Sequence, residues 1–138
     1  MNPRIVAAGL LAALTTAVAS AQGYPGDTGA GVERGMQQLN DSGEVGTVTL
    51  FRRSVRTAIF VVMHGVPPGR VESVRVYRGP DCDSLESSPR YFLADLKGGV
   101  SRTEVALSED RLLSGNYNVV VFSGNRPGAP AAACGHLY

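Results

Sequence analysis

Imidazole is scarce in this sequence: His64 and His136 are its only two histidines. Two histidines cannot by themselves make a three-nitrogen catalytic metal site. Thiol is as scarce, with Cys82 and Cys134 far apart and no Cys-x-x-Cys spacing for a redox couple. Net charge is nearly absent, at +1. A chain this close to neutral has no overall pull on nucleic acid or anionic lipid. Lys97 is the only lysine, and the five tyrosines do not interleave with the arginines as single-strand binding requires. No Gly-x-Ser-x-Gly elbow occurs, and no glycine-rich loop precedes a helix to cradle phosphate. Asp81, Asp83 and Glu86 lack the alternate-oxygen spacing around a central glycine that calcium loops use, so they read as a polar loop. Arg52, Arg53 and Arg56 read as a solvated strand edge, not an anion site.

One long apolar run is present. Ile5 to Val18 carries no charge, follows Arg4 and leads into Ala19-Ser20-Ala21. This is the pattern of a secretory signal peptide cut after Ala21. The run is shorter than the ~20 residues a membrane-spanning helix needs, and no cysteine at the cut offers a sulfur to lipidate. The expected product is secreted or periplasmic, has no membrane span and, having lost Arg4, is formally neutral. Residues 22–35, beginning with the Gly-rich QGYPGDTGAG, are expected to be a flexible segment, with the domain running over 36–138.

Within the domain the signals are those of strands. EVGTVTLF (Glu44 to Phe51), VESVRVY (Val71 to Tyr77) and VSRTEVAL (Val100 to Leu107) alternate apolar and polar residues. VRTAIFVVMHG (Val55 to Gly65) is rich in β-branched residues and ends at the breaker Val66-Pro67-Pro68-Gly69. YFLADL (Tyr91 to Leu96) runs into a Lys97-Gly98-Gly99 turn. NYNVVVF (Asn116 to Phe122) is nearly continuous apolar, as in a central strand, and a short strand covers Ala132 to Leu137. One short helix is expected in SEDRLLSG, with Ser108 as N-cap and Gly115 as its stop. Such spacing predicts an antiparallel sandwich or barrel.

Two cysteines allow one pairing. In an oxidising compartment Cys82 and Cys134 are expected to form a disulfide. Closing a loop of that length stabilises the fold by roughly 4 kcal/mol in the chain-entropy model.

With the bridge placed, residues 36–138 resemble the Cu/Zn superoxide dismutase-like fold, most closely its secreted bacterial offshoots that overlap the CHRD domains. The likeness rests on four stretches. LNDSGEVGTVTL resembles the opening strand pair, and HGVPPG a Gly-Leu-Pro-Pro-Gly-like turn. VRVYRGPDC resembles the His-x-His strand with its following Gly and Cys, and NVVVFSG with ACGHLY the last ligand strand and terminus. The resemblance implies an all-β, antiparallel Greek-key β-sandwich of about eight strands, with a disulfide between those two cysteines. It also locates what is missing. The His-x-His positions are Arg75 and Tyr77, the later copper histidine is Phe122, and the superoxide-guiding arginine is Ala131. The zinc loop, SLESSPRYF, has no histidine.

Guanidinium, phenol and phenyl offer copper none of the nitrogen donors it prefers. The expected protein is therefore a non-catalytic module without a cofactor, binding an unknown protein or small molecule. Its candidate interface is Arg75, Tyr77, Phe122 and Arg126. The alternatives are a copper carrier or residual dismutase using Met63, His64 and His136, and a homo-oligomer formed by strand-edge pairing.

Overall fold

The computed structural model describes residues 30–138. The expected leader, and all but the last six residues of the segment 22–35, lie outside the described residues. The chain forms eight strands and one helix: β1 (Val32–Gln38), β2 (Val45–Arg53), β3 (Arg56–His64), β4 (Glu72–Arg78), β5 (Tyr91–Leu96), β6 (Val100–Val105), α1 (Glu109–Ser114), β7 (Tyr117–Phe122) and β8 (Ala131–His136). The seven strands expected from the alternation are present, with boundaries shifted by no more than about two residues. β1 begins at Val32, ahead of the domain boundary expected at Met36.

All pairings are antiparallel, in the order β5-β4-β7-β8-β1-β2-β3-β6. β1 joins the two halves: Val32 to Met36 pair with β2, and Gln37 and Gln38 pair with Cys134 and Ala133 of β8. The strands at the two ends of the order, β5 and β6, are joined by the tight turn Lys97–Val100, and the sheet curls until they meet. Gly98 and Gly99 both take positive φ (58° and 77°), which a two-residue hairpin turn of this hand requires. Beyond the turn the seam is held by side chains. The Ala94 N–H donates to Thr103 Oγ1 at 2.7 Å, and the Ser101 hydroxyl donates to the Ala94 carbonyl at 2.5 Å. The result is one nearly closed, eight-stranded sheet. A strand-edge route to an oligomer would have to use what remains open of this seam.

Closure makes the core. Alternate residues point inward: Val48 and Leu50 from β2, Ile59 and Val61 from β3, Val74 and Val76 from β4, Val119 and Val121 from β7. Each such side chain contributes about 1.5–3 kcal/mol when fully buried. Glycine is required where strands approach closely: a Cβ on Gly46 would lie 2.0 Å from the Val62 carbonyl oxygen. α1 plugs one end of the sheet with Leu112, which is fully buried. Ser108 precedes it with extended backbone and accepts the Leu112 N–H, but its side chain makes no cap hydrogen bond. The basic cluster of β2 and β3 is matched by acids: Arg52 meets Glu109 and Asp110 at the start of α1, and Arg56 meets Glu104.

Candidate functional site

The outer face of β4, β7 and β8 carries a second, smaller apolar cluster. Tyr77, Val120 and Cys134 are buried there, with Leu39, Cys82, Leu85, Phe122 and Ala131 packed around them. A sheet face turned away from the core is ordinarily solvated, and this one is covered because the loop 79–90 folds back over it. Cys82 is bonded to Cys134, so the bridge pins that loop onto β8. The bond expected from the cysteine count is thus present, and it secures a layer outside the core. Hydrogen bonds reinforce it. Asn118 donates to the Gly79 carbonyl at 3.0 Å, the Arg90 N–H donates to the Val76 carbonyl at 2.7 Å, and the Tyr138 hydroxyl donates to the Pro80 carbonyl. Within the loop the Glu86 carboxylate is held by Arg90, and Asp81 accepts the Asp83 N–H.

Where that cover ends, the face opens. Arg75 pairs directly with Phe92 across β4 and β5. Its guanidinium lies 5.4 Å from the Phe92 ring centroid and 5.1 Å from that of Phe122. Phe122 in turn tilts against Tyr77, with centroids 6.3 Å apart. Ser73, Arg75, Phe122 and Arg126 then line one cavity of about 170 Å³, floored by Gly124, Gly128 and Ala129 of the loop after β7. Of the expected interface residues, Arg75, Phe122 and Arg126 therefore share this cavity, while Tyr77 is buried beneath it as a support. Phe92 completes the arrangement and is 69% exposed, unusual for so large a ring. Reading the sequence missed it. The signal available was that YFLADL puts Phe92 on the opposite side from the core residue Leu93.

The three positions where the resemblance places copper ligands, Arg75, Tyr77 and Phe122, do come together. Their chemistry does not suit a cation: one carries a fixed positive charge, and the phenyl ring has no donor atom. The alternative trio does not converge. Met63 points into the core and His64, its neighbour on β3, points out to solvent. His136 is on β8, separated from β3 by β1 and β2, about 14 Å at ordinary strand spacing. Its Nδ1 lies 2.5 Å from Asn118 Oδ1. Since Asn118 spends its amide N–H on Gly79, that oxygen must accept, and the His136 proton sits on Nδ1. Its Nε2 is buried with no partner among the described residues, and burial lowers its pKa, so the ring stays neutral. Among the described residues, no group of three or more His, Cys, Asp or Glu side chains is placed to hold a metal ion.

A further charged cluster was not foreseen from the sequence. Glu44, just before β2, and Glu72, at the start of β4, are both fully buried. Arg70 bridges them: its Nε donates to Glu72 Oε1 at 2.7 Å and its Nη2 to Glu44 Oε1. The two Oε2 atoms are buried with no partner among the described residues. One cation cannot neutralise two buried carboxylates. Burial, and then a hydrogen bond to Glu44, push the Glu72 carboxyl up to about 7 against the opposing pull of Arg70. Glu72 therefore holds a proton and shares it with Glu44 well above the usual carboxylate range. The cluster belongs to the end of the sheet and faces no cavity that this structure describes, so it reads as structural.

The chain has been compared with protein-family models, curated proteins and solved structures, and nothing among them matches it.

Proposed function

We propose that this protein is a secreted or periplasmic, non-catalytic binding module of superoxide dismutase-like or CHRD-like type, and that its working surface is the outer face of β4, β5 and β7. One observation carries the reading: Arg75 stands between Phe122 and the exposed Phe92, beside a cavity, with no ion-pair partner among the described residues. Aromatic and arginine side chains are the types that anchor interfaces. Eight antiparallel strands and the Cys82–Cys134 bridge support the family resemblance. The bridge and the leader pattern support export to an oxidising compartment.

The test is site-specific photocrosslinking in the protein's native setting. A photoreactive phenylalanine at Phe92 is expected to give a discrete adduct that the same probe at Val55, exposed on the β2–β3 turn, does not. Loss of that adduct on Phe122→Ala, in a variant that remains folded, is also expected. Equal labelling from both positions sinks the reading.

A further inference from the structure

We infer that the cavity between β4, β7 and the loop 123–130 is a carboxylate-binding site, with Arg75 as its principal donor. The inference rests on the binding-face reading and names the chemistry that the face takes.

The first ground is geometric. The Arg75 guanidinium carbon lies over the Phe92 and Phe122 rings, 5.4 and 5.1 Å from their centroids, and neither ring offers an acceptor atom to its five N–H donors. A guanidinium edge forks, and a planar carboxylate matches the fork with two parallel hydrogen bonds. The rings also fix the fork in place, so little freedom is lost on binding. The second ground is what surrounds it. Arg126 lines the same cavity, and among the described residues neither guanidinium has an ion-pair partner. Elsewhere in the domain Arg52, Arg56, Arg70 and Arg90 each meet an acid. The third ground is Ser73. It is more than nine-tenths buried, it lines the cavity, and its hydroxyl has no hydrogen-bond partner among the described residues. A hydroxyl beside two guanidinium groups in one cavity is a donor set that suits an anion.

Size and shape select the ligand class. At about 170 Å³ the cavity is smaller than the ~300 Å³ at which drug-sized pockets begin. It fits a small carboxylate or one acidic side chain. Phe122 and Ala129 suit the short apolar stem behind such a group. The anion can be free or carried on a partner's acidic side chain, and the shared chemistry is the carboxylate.

The experiment follows the Arg75 Nε–Hε resonance of the protein in low-salt buffer during titration with succinate. A second titration uses a capped peptide bearing a single glutamate, and a third uses inorganic phosphate at matched ionic strength. A saturable shift with succinate is expected. Read at the backbone amides of Ser73 and Gly124, which line the cavity and remain in both variants, the affinity should weaken at least about tenfold in Arg75→Gln, equivalent to ~1.4 kcal/mol, and less in Arg126→Gln. Both variants should stay folded, since neither side chain is part of the core cluster; Arg126→Gln should keep the parent thermal midpoint and Arg75→Gln should lower it by several degrees. Saturation with the peptide but not with succinate also supports the site and assigns the carboxylate to a partner chain. Phosphate binding as tightly as either carboxylate probe overturns the assignment, as does no saturable shift with either. If the Phe92 adduct persists unchanged in Arg75→Gln while no carboxylate binds, this inference fails and the binding face stands. Loss of both the adduct's specificity and carboxylate binding removes the two together.

Discussion

Arg70 leads into β4 and Arg75 lies in its middle, yet the two have opposite surroundings. Arg70 is wrapped by two fully buried carboxylates, and its charge is more than spent. Arg75 meets two phenyl rings and, among the described residues, no acid. The difference separates a charge that holds the fold together from one the fold holds out. A buried ion cluster resists loss of any member because each loss leaves an uncompensated charge. A guanidinium set over two rings can be removed at a smaller cost to the fold, because only the ring contacts go, at about 0.5–1 kcal/mol each.

That contrast can be broken most sharply at Arg70. Arg70→Met strands Glu44 and Glu72 in the interior, and a loss of about 3–5 kcal/mol is expected in denaturant unfolding. A loss below ~1 kcal/mol would show that the pair finds other partners. Next in size is the bridge. Cys82→Ser with Cys134→Ser should cost about 2–4 kcal/mol. It should also loosen the loop 79–90, read as faster hydrogen exchange at the Glu86 and Arg90 amides. Smaller, and more diagnostic, is the pH response. The Glu72 pKa is raised from the ordinary 4.5 to about 7 in the folded protein. The folded state therefore keeps a proton that the unfolded chain has given up. The stabilisation is complete below about 4.5 and is lost as pH rises through about 7. Thermal midpoints should fall across that interval and stay flatter in Glu72→Gln, whose amide can donate to Glu44 at any pH. An unchanged slope in the variant would assign the response elsewhere. The smallest effect belongs to Arg75→Gln, expected to cost about 1–2 kcal/mol through its two ring contacts. A loss as large as that of Arg70→Met would erase the comparison and make Arg75 structural.

The sequence disclosed the fold unevenly, for physical reasons. Alternation made strands such as β2 and β4 legible, through Val48 and Leu50 or Val74 and Val76, while β7 was legible as a continuous apolar run because it is buried on both faces. β1 was not. Of VERGMQQ only Met36 is buried, so there is no apolar period to read. The strand exists because β2 and β8 offer it backbone partners on either side. The helix stop at Gly115 and the turn at Gly98-Gly99 were readable from local chemistry. Of the binding face, Arg75 and Phe122 could be named in advance, but Phe92 could not, since its role depends on a cross-strand pairing that no local pattern specifies. The Glu44–Arg70–Glu72 cluster was hidden by sequence separation. A clue did exist: each glutamate stands in inward register with the apolar residues of its own strand, Glu72 with Val74 and Val76, and Glu44 with Val48 and Leu50. An acid in that register is costly without a partner, and Arg70 stands two residues before Glu72.

The order of the strands bears on how the molecule is made. β1, the first strand, lies against β8, the last, and Cys82 waits for Cys134. During synthesis nothing can close the sheet until Ala131 to His136 have emerged. The earlier strands must until then expose an unpaired edge and a lone thiol. Contacts so distant along the chain make folding slow. With one partner available, however, that thiol has no wrong bond to form within its own chain. Mispairing, where it occurs, must be between molecules, and dilution during oxidative refolding is the condition that suppresses it.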